Sequence, residues 1–232
     1  MNHASQNTIA QNIEHVRKRI TDAELKFGRR PGSVQLLAVS KTRPVEDIRT
    51  ALLASQHHFG ENYLQDALPK IEAISDPLVQ WHFIGPIQSN KTRQIAQYFH
   101  WVHSIDRLKI AQRLNEQREP TLPPLNICLQ INSSGETSKS GISPGDALAL
   151  AREVIQLPNL RLRGLMTIPQ SSDSFEQQCI PFRLIRELKT ELESQGITLD
   201  TLSMGMSNDM EAAIAEGSTL VRIGTAIFGK RN

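Results

Sequence analysis

Ile9, Ile13, Val16, Ile20, Ala23 and Phe27 recur along the first thirty residues at steps of four and three. That spacing puts them on one stripe of a helix, so an amphipathic helix is predicted up to Gly28, which suits a helix stop. Arg29-Arg30-Pro31-Gly32 breaks the pattern, and residues 34–39 form a nearly continuous apolar run. Such a run suits a strand of a parallel sheet covered on both faces. Seven more strand-like pieces follow at 57–59, 80–84, 100–103, 125–131, 160–166, 201–204 and 219–223. Between them lie segments of helical character at 45–55, 63–74, 91–98, 107–117, 144–155, a long stretch ending near Ser194, and 209–216. Ser143-Pro144-Gly145-Asp146 places a capping serine ahead of a first-turn proline and an acid. Gly196 sits where a C-terminal cap is expected. Pro181 should kink the long helix or mark its true start.

Eight strands alternating with helices in 232 residues fit a (β/α)₈ TIM barrel with an extra N-terminal helix. A doubly wound sheet is the alternative that periodicity leaves open. No shift in composition divides the chain, so one domain over 1–232 is expected. The stretch 133–141 is polar enough to form a long loop.

Composition narrows the function. The 26 basic and 24 acidic side chains leave a formal charge of +2, too balanced for nucleic-acid binding by bulk charge. With 39% hydrophobic and 22% charged residues, a disordered chain is excluded. Cys128 and Cys179 lie in apolar contexts without metal spacing, which reads as buried free thiols in a reducing compartment. The polar N-terminus and the lack of a long apolar run predict no signal peptide and no membrane span. A cytoplasmic protein is expected.

In a barrel, chemistry collects at the C-terminal ends of the strands. Ser40-Lys41-Thr42-Arg43-Pro44 follows the first strand, and a lysine there either is a solvated loop residue or points its amine into the mouth for Schiff-base chemistry. After the second strand, Asn62 either caps the next helix or hydrogen-bonds a ligand. His82, in the third strand, alternates with apolar neighbours and reads equally as core or site. After the seventh strand, Met204-Gly205-Met206-Ser207 places Ser207 as a helix cap. Gly224-Thr225 after the eighth strand exposes backbone N–H groups toward an anion. Barrels often bind phosphate with these last two loops. Arg222, inside the eighth strand, needs a buried acceptor or a ring nitrogen. Lysine, arginine and a phosphate cup together describe bound pyridoxal 5′-phosphate (PLP).

Leu37-Ala38-Val39-Ser40-Lys41-Thr42, Phe59-Gly60-Glu61-Asn62-Tyr63 and the run from Trp81 through Gly85-Pro86-Ile87-Gln88 to Lys91 closely resemble the pyridoxal phosphate homeostasis (YggS-like) family. So do Gly164-Leu165-Met166, Leu202-Ser203-Met204-Gly205-Met206-Ser207 and Arg222-Ile223-Gly224-Thr225-Ala226-Ile227-Phe228-Gly229. The resemblance implies a PLP-binding TIM barrel similar to the alanine racemase N-terminal domain. It implies that Lys41 holds PLP as an aldimine, that Ser207, Gly224 and Thr225 hold the phosphate, and that Arg222 donates to the pyridine nitrogen. Asn62, His82 and Met206 complete the implied cofactor set. The family pattern usually has Ile where Ser133 stands here and an acid near Gly135.

The resemblance further implies PLP homeostasis without catalytic turnover, with apo-enzymes that use PLP as acceptors. Arg⁺ beside the ring nitrogen opposes its protonation and weakens the electron sink. Only seven residues follow Thr225, so no racemase-like second domain is expected, and the chain should be a monomer. A low-activity amino-acid racemase is the competing reading, and a PLP-free Schiff-base aldolase acting through Lys41 is the third.

Overall fold

The computed structural model describes residues 3–134 and 140–229. Its strands are β1 (Gln35–Val39), β2 (His58–Glu61), β3 (Gln80–Phe83), β4 (Trp101–Ile105), β5 (Leu125–Gln130), β6 (Leu160–Met166), β7 (Thr201–Ser203) and β8 (Leu220–Ile223). All neighbours pair in parallel in chain order, and β8 returns to β1, so the sheet closes into a barrel. This settles the choice against an open doubly wound sheet. A chain of short apolar strands separated by helices closes this way because each helix covers the outer face of the sheet it follows.

The helices are α1 (His3–Lys26), α2 (Val45–Leu53), α3 (Leu64–Ala73), α4 (Thr92–Tyr98), α5 (Leu108–Gln117), α6 (Ala147–Val154), α7 (Phe175–Ser194), α8 (Met210–Ala215) and α9 (Thr225–Phe228). None is long and apolar enough to cross a membrane among the described residues. After β8 comes the single turn of α9. The N-terminal α1 packs on α2, α8 and α9. Its predicted stripe of Ile9, Ile13, Val16, Ile20 and Ala23 is buried. Asn12 Nδ2 donates to the Ile227 carbonyl at 2.8 Å, and Arg17 donates to the carbonyls of Ala54 and Ser55 at 2.7 and 2.9 Å. Ser55 has a φ of 55°, strained for a residue with a side chain, and the Arg17 contact helps hold it there.

The turn from α1 into β1 depends on Glu24. Its buried carboxylate accepts hydrogen bonds from Gly32 N at 2.9 Å, Val34 N at 2.8 Å and Ser33 Oγ at 3.1 Å. Glu24→Ala strips all three donors of their acceptor, which costs about 3 kcal/mol. The expected result is a lower urea midpoint with an unchanged slope, read by equilibrium unfolding.

Local chemistry explains where expectation and structure differ. α7 begins at Phe175, runs through Pro181 and ends at Ser194, so the proline does not mark its start. Gly196 follows with a φ of 84°, as a C-terminal cap requires. Ser143 stands before the short helical turn Pro144–Asp146, but its hydroxyl donates to the Asp146 carboxylate instead of accepting a backbone N–H. Cys128 and Cys179 are buried and free, and burial pushes the Cys128 thiol up to about 12. Gly164 is needed for packing: a Cβ there would lie 1.7 Å from the Thr201 carbonyl oxygen. Residues 135–139 of the polar loop, including the position expected to differ in charge near Gly135, lie outside the described residues.

Candidate functional site

A cavity of about 630 Å³ opens at the C-terminal ends of the strands. Lys41 and Asn62 line it from the ends of β1 and β2, and Arg222 lines it from β8. Met206 and Ser207 contribute from the turn after β7, and Gly224 and Thr225 from the turn after β8. Seven of the eight residues singled out in the sequence therefore converge on one wall. His82 does not. It is fully buried in the barrel interior, hydrogen-bonded to other histidines, and borders a separate cavity of about 270 Å³ with Gln35, Thr219 and Leu220. It stands one residue before the end of β3, inside the barrel and not among the residues that line the mouth cavity.

Lys41 is half-buried, directly after the last buried position of the β1 segment. Thr42 follows with a φ of 63°, a left-handed conformation unusual for a side chain branched at Cβ. A buried network beneath fixes this turn. Lys70 Nζ donates to the Ser40 carbonyl and to Glu61 Oε1, both at 2.8 Å, while Ser40 Oγ donates to the same Glu61 oxygen at 2.6 Å. Burial pushes the Glu61 carboxyl up against the opposing pull of Lys70 and Ser40. The strained turn is therefore held by buried charge-assisted hydrogen bonds, which are stronger than neutral ones.

Arg222 is buried, and its partners are not carboxylates. Nη1 donates to the Ser203 carbonyl at 2.5 Å and to Ser203 Oγ at 2.9 Å, and Nη2 donates to the Thr167 carbonyl at 2.8 Å. Burial lowers its pKa to about 10, so it stays charged near neutrality. Nε makes no hydrogen bond among the described residues, which leaves a donor edge on a side chain that lines the mouth. Ser203 and Thr167 were missed in the sequence, because nothing local marks a carbonyl as the acceptor for a distant guanidinium.

The two turns that follow β7 and β8 present donors. No backbone acceptor faces the N–H groups of Ser207, Asn208, Gly224, Thr225 and Ala226 among the described residues. Ser207 is not the cap of α8. That helix begins at Met210 behind Asp209, whose carboxylate turns back to accept the Met206 N–H at 2.6 Å. The serine hydroxyl is thereby left to the cavity. Asn62 is not a cap either, since Tyr63 holds that position of α3, and its Oδ1 is buried without a partner. Buried polar atoms are nearly always satisfied, so this oxygen marks a place for a ligand donor. Clustered N–H groups favour an anion, and a lysine amine at the same wall is suited to a carbonyl carbon.

Comparison with known proteins agrees with this geometry. The family model of the alanine racemase N-terminal domain matches residues 5–232. The pyridoxal phosphate homeostasis protein of Pseudomonas aeruginosa is 60% identical over 97% of this chain and 96% of its own. That of Escherichia coli K12 is 51% identical over 97% of this chain and 98% of its own. The chain belongs to the pyridoxal phosphate homeostasis protein family. Within that family's fold, PipY of Synechococcus elongatus, solved with PLP bound, superposes with a TM-score of 0.82 at 36% identity, covering 95% of this chain and all of PipY. Alanine racemase from Corynebacterium glutamicum shares the fold alone, at a TM-score of 0.74 and 15% identity, with 97% of this chain matching 62% of the racemase. Family membership accounts for the barrel. The residues at its mouth must account for the chemistry.

Proposed function

We propose that the mouth cavity binds pyridoxal 5′-phosphate, with Lys41 as the covalent anchor, and that this single barrel domain holds and releases the cofactor for apo-enzymes of the intracellular vitamin B6 pool without turning over amino acids. One observation carries the reading. Residues bearing an amine, a charged guanidinium, an amide oxygen without a partner and, among the described residues, five N–H groups without a backbone acceptor line the same cavity. This set fits the group: donors for a phosphate at one end, an amine for an aldehyde, and a guanidinium edge for a ring nitrogen. PipY, solved with PLP, and relatives named for PLP homeostasis support it.

The bound cofactor would supply an aldehyde carbon, the electrophile for a lysine amine. Lys41 presents Nζ from a turn already held by Ser40, Glu61 and Lys70. Ser207, Gly224 and Thr225 hold the phosphate through the turn N–H groups and hydroxyls. Met206 lies half-exposed beside them and shields the same wall. Asn62 would line the ring pocket. Arg222 directs Nε–H to the ring nitrogen, and its charge keeps that nitrogen unprotonated, which withholds the electron sink on which amino-acid chemistry depends.

A racemase needs acid–base groups on both faces of the bound amino acid. Besides Lys41, the ionisable side chains lining the cavity among the described residues are Arg19, Asp209 and Arg222. The two guanidiniums do not trade protons near neutrality, and Asp209 is committed to the Met206 N–H. Incubation with PLP and amino acids in deuterated water is therefore expected to show no α-proton exchange above that of PLP alone. Exchange abolished by Lys41→Ala would establish the racemase reading instead.

Arg222→Ala should disturb more than the cofactor. It leaves the Ser203 and Thr167 carbonyls without their buried donor, at a cost of about 3 kcal/mol. We expect a melting temperature lower by roughly 6–12 °C together with weakened PLP binding, read by calorimetry and absorbance titration. An unchanged spectrum and affinity would remove the ring-nitrogen role.

A further inference from the structure

The barrel interior is polar where (β/α)₈ interiors are usually filled by branched aliphatic side chains. His58, His82 and His103 come from β2, β3 and β4 and stand in line. His58 Nδ1 lies 3.0 Å from His82 Nε2, and His82 Nδ1 lies 2.9 Å from His103 Nε2. His103 Nδ1 lies 2.8 Å from Ser203 Oγ, which already meets Arg222 Nη1. The line runs from the mouth to the separate cavity that His58 borders. We infer that Ser203, His103, His82 and His58 form a polarised relay that positions Arg222, with every imidazole carrying its single proton on Nε2.

The direction is decided at Ser203. Arg222 has only donors, so Ser203 Oγ must accept from it. If His103 also donated to that oxygen, the buried serine proton would have no acceptor. Such orphans are rare in folded proteins. The hydroxyl therefore donates to His103 Nδ1, which must be bare. His103 then carries its proton on Nε2 and donates to His82 Nδ1, and His82 donates from Nε2 to His58 Nδ1. Each step leaves one tautomer. Neutrality agrees with this order, because burial and the nearby Arg222 charge lower His103 to about 3, and burial and its histidine neighbours hold His82 well below its usual value. The His82 ring is kept in plane by stacking on Trp101, with centroids 5.4 Å apart and 10° between planes. Arg222 Nη1 spends its protons on Ser203, and the guanidinium presents its Nε edge to the mouth. Ser203 and His103 are thus positioning residues, acting through Arg222.

The purpose of this positioning rests on the PLP reading, whereas the order of the relay does not. The test begins with the chain free of PLP and carrying ¹⁵N in its imidazoles. Nitrogen NMR at neutral pH should show protonated Nε2 and bare Nδ1 at all three histidines, and a protonated Nδ1 on His103 overturns the inference. Ser203→Ala should release His103 to exchange between tautomers and weaken PLP binding about tenfold, the size of one lost charged hydrogen bond. Ser203→Thr, which keeps the hydroxyl, should restore both. Wild-type affinity with an unaltered His103 in Ser203→Ala would defeat the positioning role. If that variant does not fold, the wild-type imidazole spectrum decides alone. A wild-type chain that ignores PLP would refute the cofactor reading and leave the relay standing on its own spectrum.

Discussion

Lys41→Ala is expected to abolish the proposed covalent link to PLP and to leave residual binding. Nothing else along the β1–α2 turn substitutes for the amine: the neighbouring Lys70 is buried and spends Nζ on the Ser40 carbonyl and Glu61. Visible absorption of the PLP-loaded chain should vanish, and the dissociation constant should rise between about tenfold and a hundredfold, equivalent to about 1.4–2.8 kcal/mol. The loss is bounded because the donors of Ser207, Gly224 and Thr225 and the Arg222 edge lie on other loops and are untouched by the substitution. Stability should move little, since Lys41 is half-buried at a turn held by its neighbours. Absorbance titration and thermal unfolding of the same variant separate the two effects. Full retention of the visible band would assign the link to another lysine.

Acid should unfold the barrel more steeply than its carboxylates alone predict. The two fully buried histidines, His82 and His103, have folded-state pKa values below the ordinary 6.5, the latter near 3. Below pH 6.5 the unfolded chain binds protons that the native interior refuses. Their contribution is therefore complete above pH 6.5 and is lost progressively as the pH falls toward 3. At pH 5 His103 costs about 2 kcal/mol relative to pH 7.5, and His82 adds to the loss in the same direction. His58 shifts in the same direction and adds to the slope. Urea unfolding across pH 7.5, 6 and 5 should show proton uptake on unfolding and a midpoint that falls with pH. A midpoint constant over that range would contradict the neutral interior.

The alternation of apolar runs and helical stripes made the barrel legible, because a strand buried on both faces and a helix buried on one leave different periods in the sequence. The placement of Lys41 and of the turns after β7 and β8 was legible for the same reason. Once strands are located, their C-terminal ends follow. The role of His82 was not. Periodicity shows that a side chain is buried, but not that its neighbours across two ladders are also histidines. The Ser203 that joins the line lies 100 residues from His103. The Ser207 cap failed on a local competition, since Asp209 two residues on took the turn and pushed the start of α8 to Met210. Thr167 escaped notice because it holds Arg222 through a main-chain carbonyl, which any residue supplies, and Ser203 does the same and adds its hydroxyl. The capping and binding readings of Asn62 look alike in sequence. The structure removes the capping reading, because Tyr63 holds the cap of α3 and Asn62 lines the cavity.

Family membership accounts for the barrel, and the residues at its mouth carry the proposed cofactor chemistry. In the proposed reading, Arg222, anchored by the Ser203 and Thr167 carbonyls, would sit at the ring nitrogen and favour keeping the cofactor over activating it. The covalent anchor carries this account. The chain should be loaded with PLP, reduced with borohydride, digested and mapped by mass spectrometry. The account predicts a reduced pyridoxyl group on the peptide containing Lys41, whereas a label on a different lysine, or none after incubation with excess PLP, would contradict it.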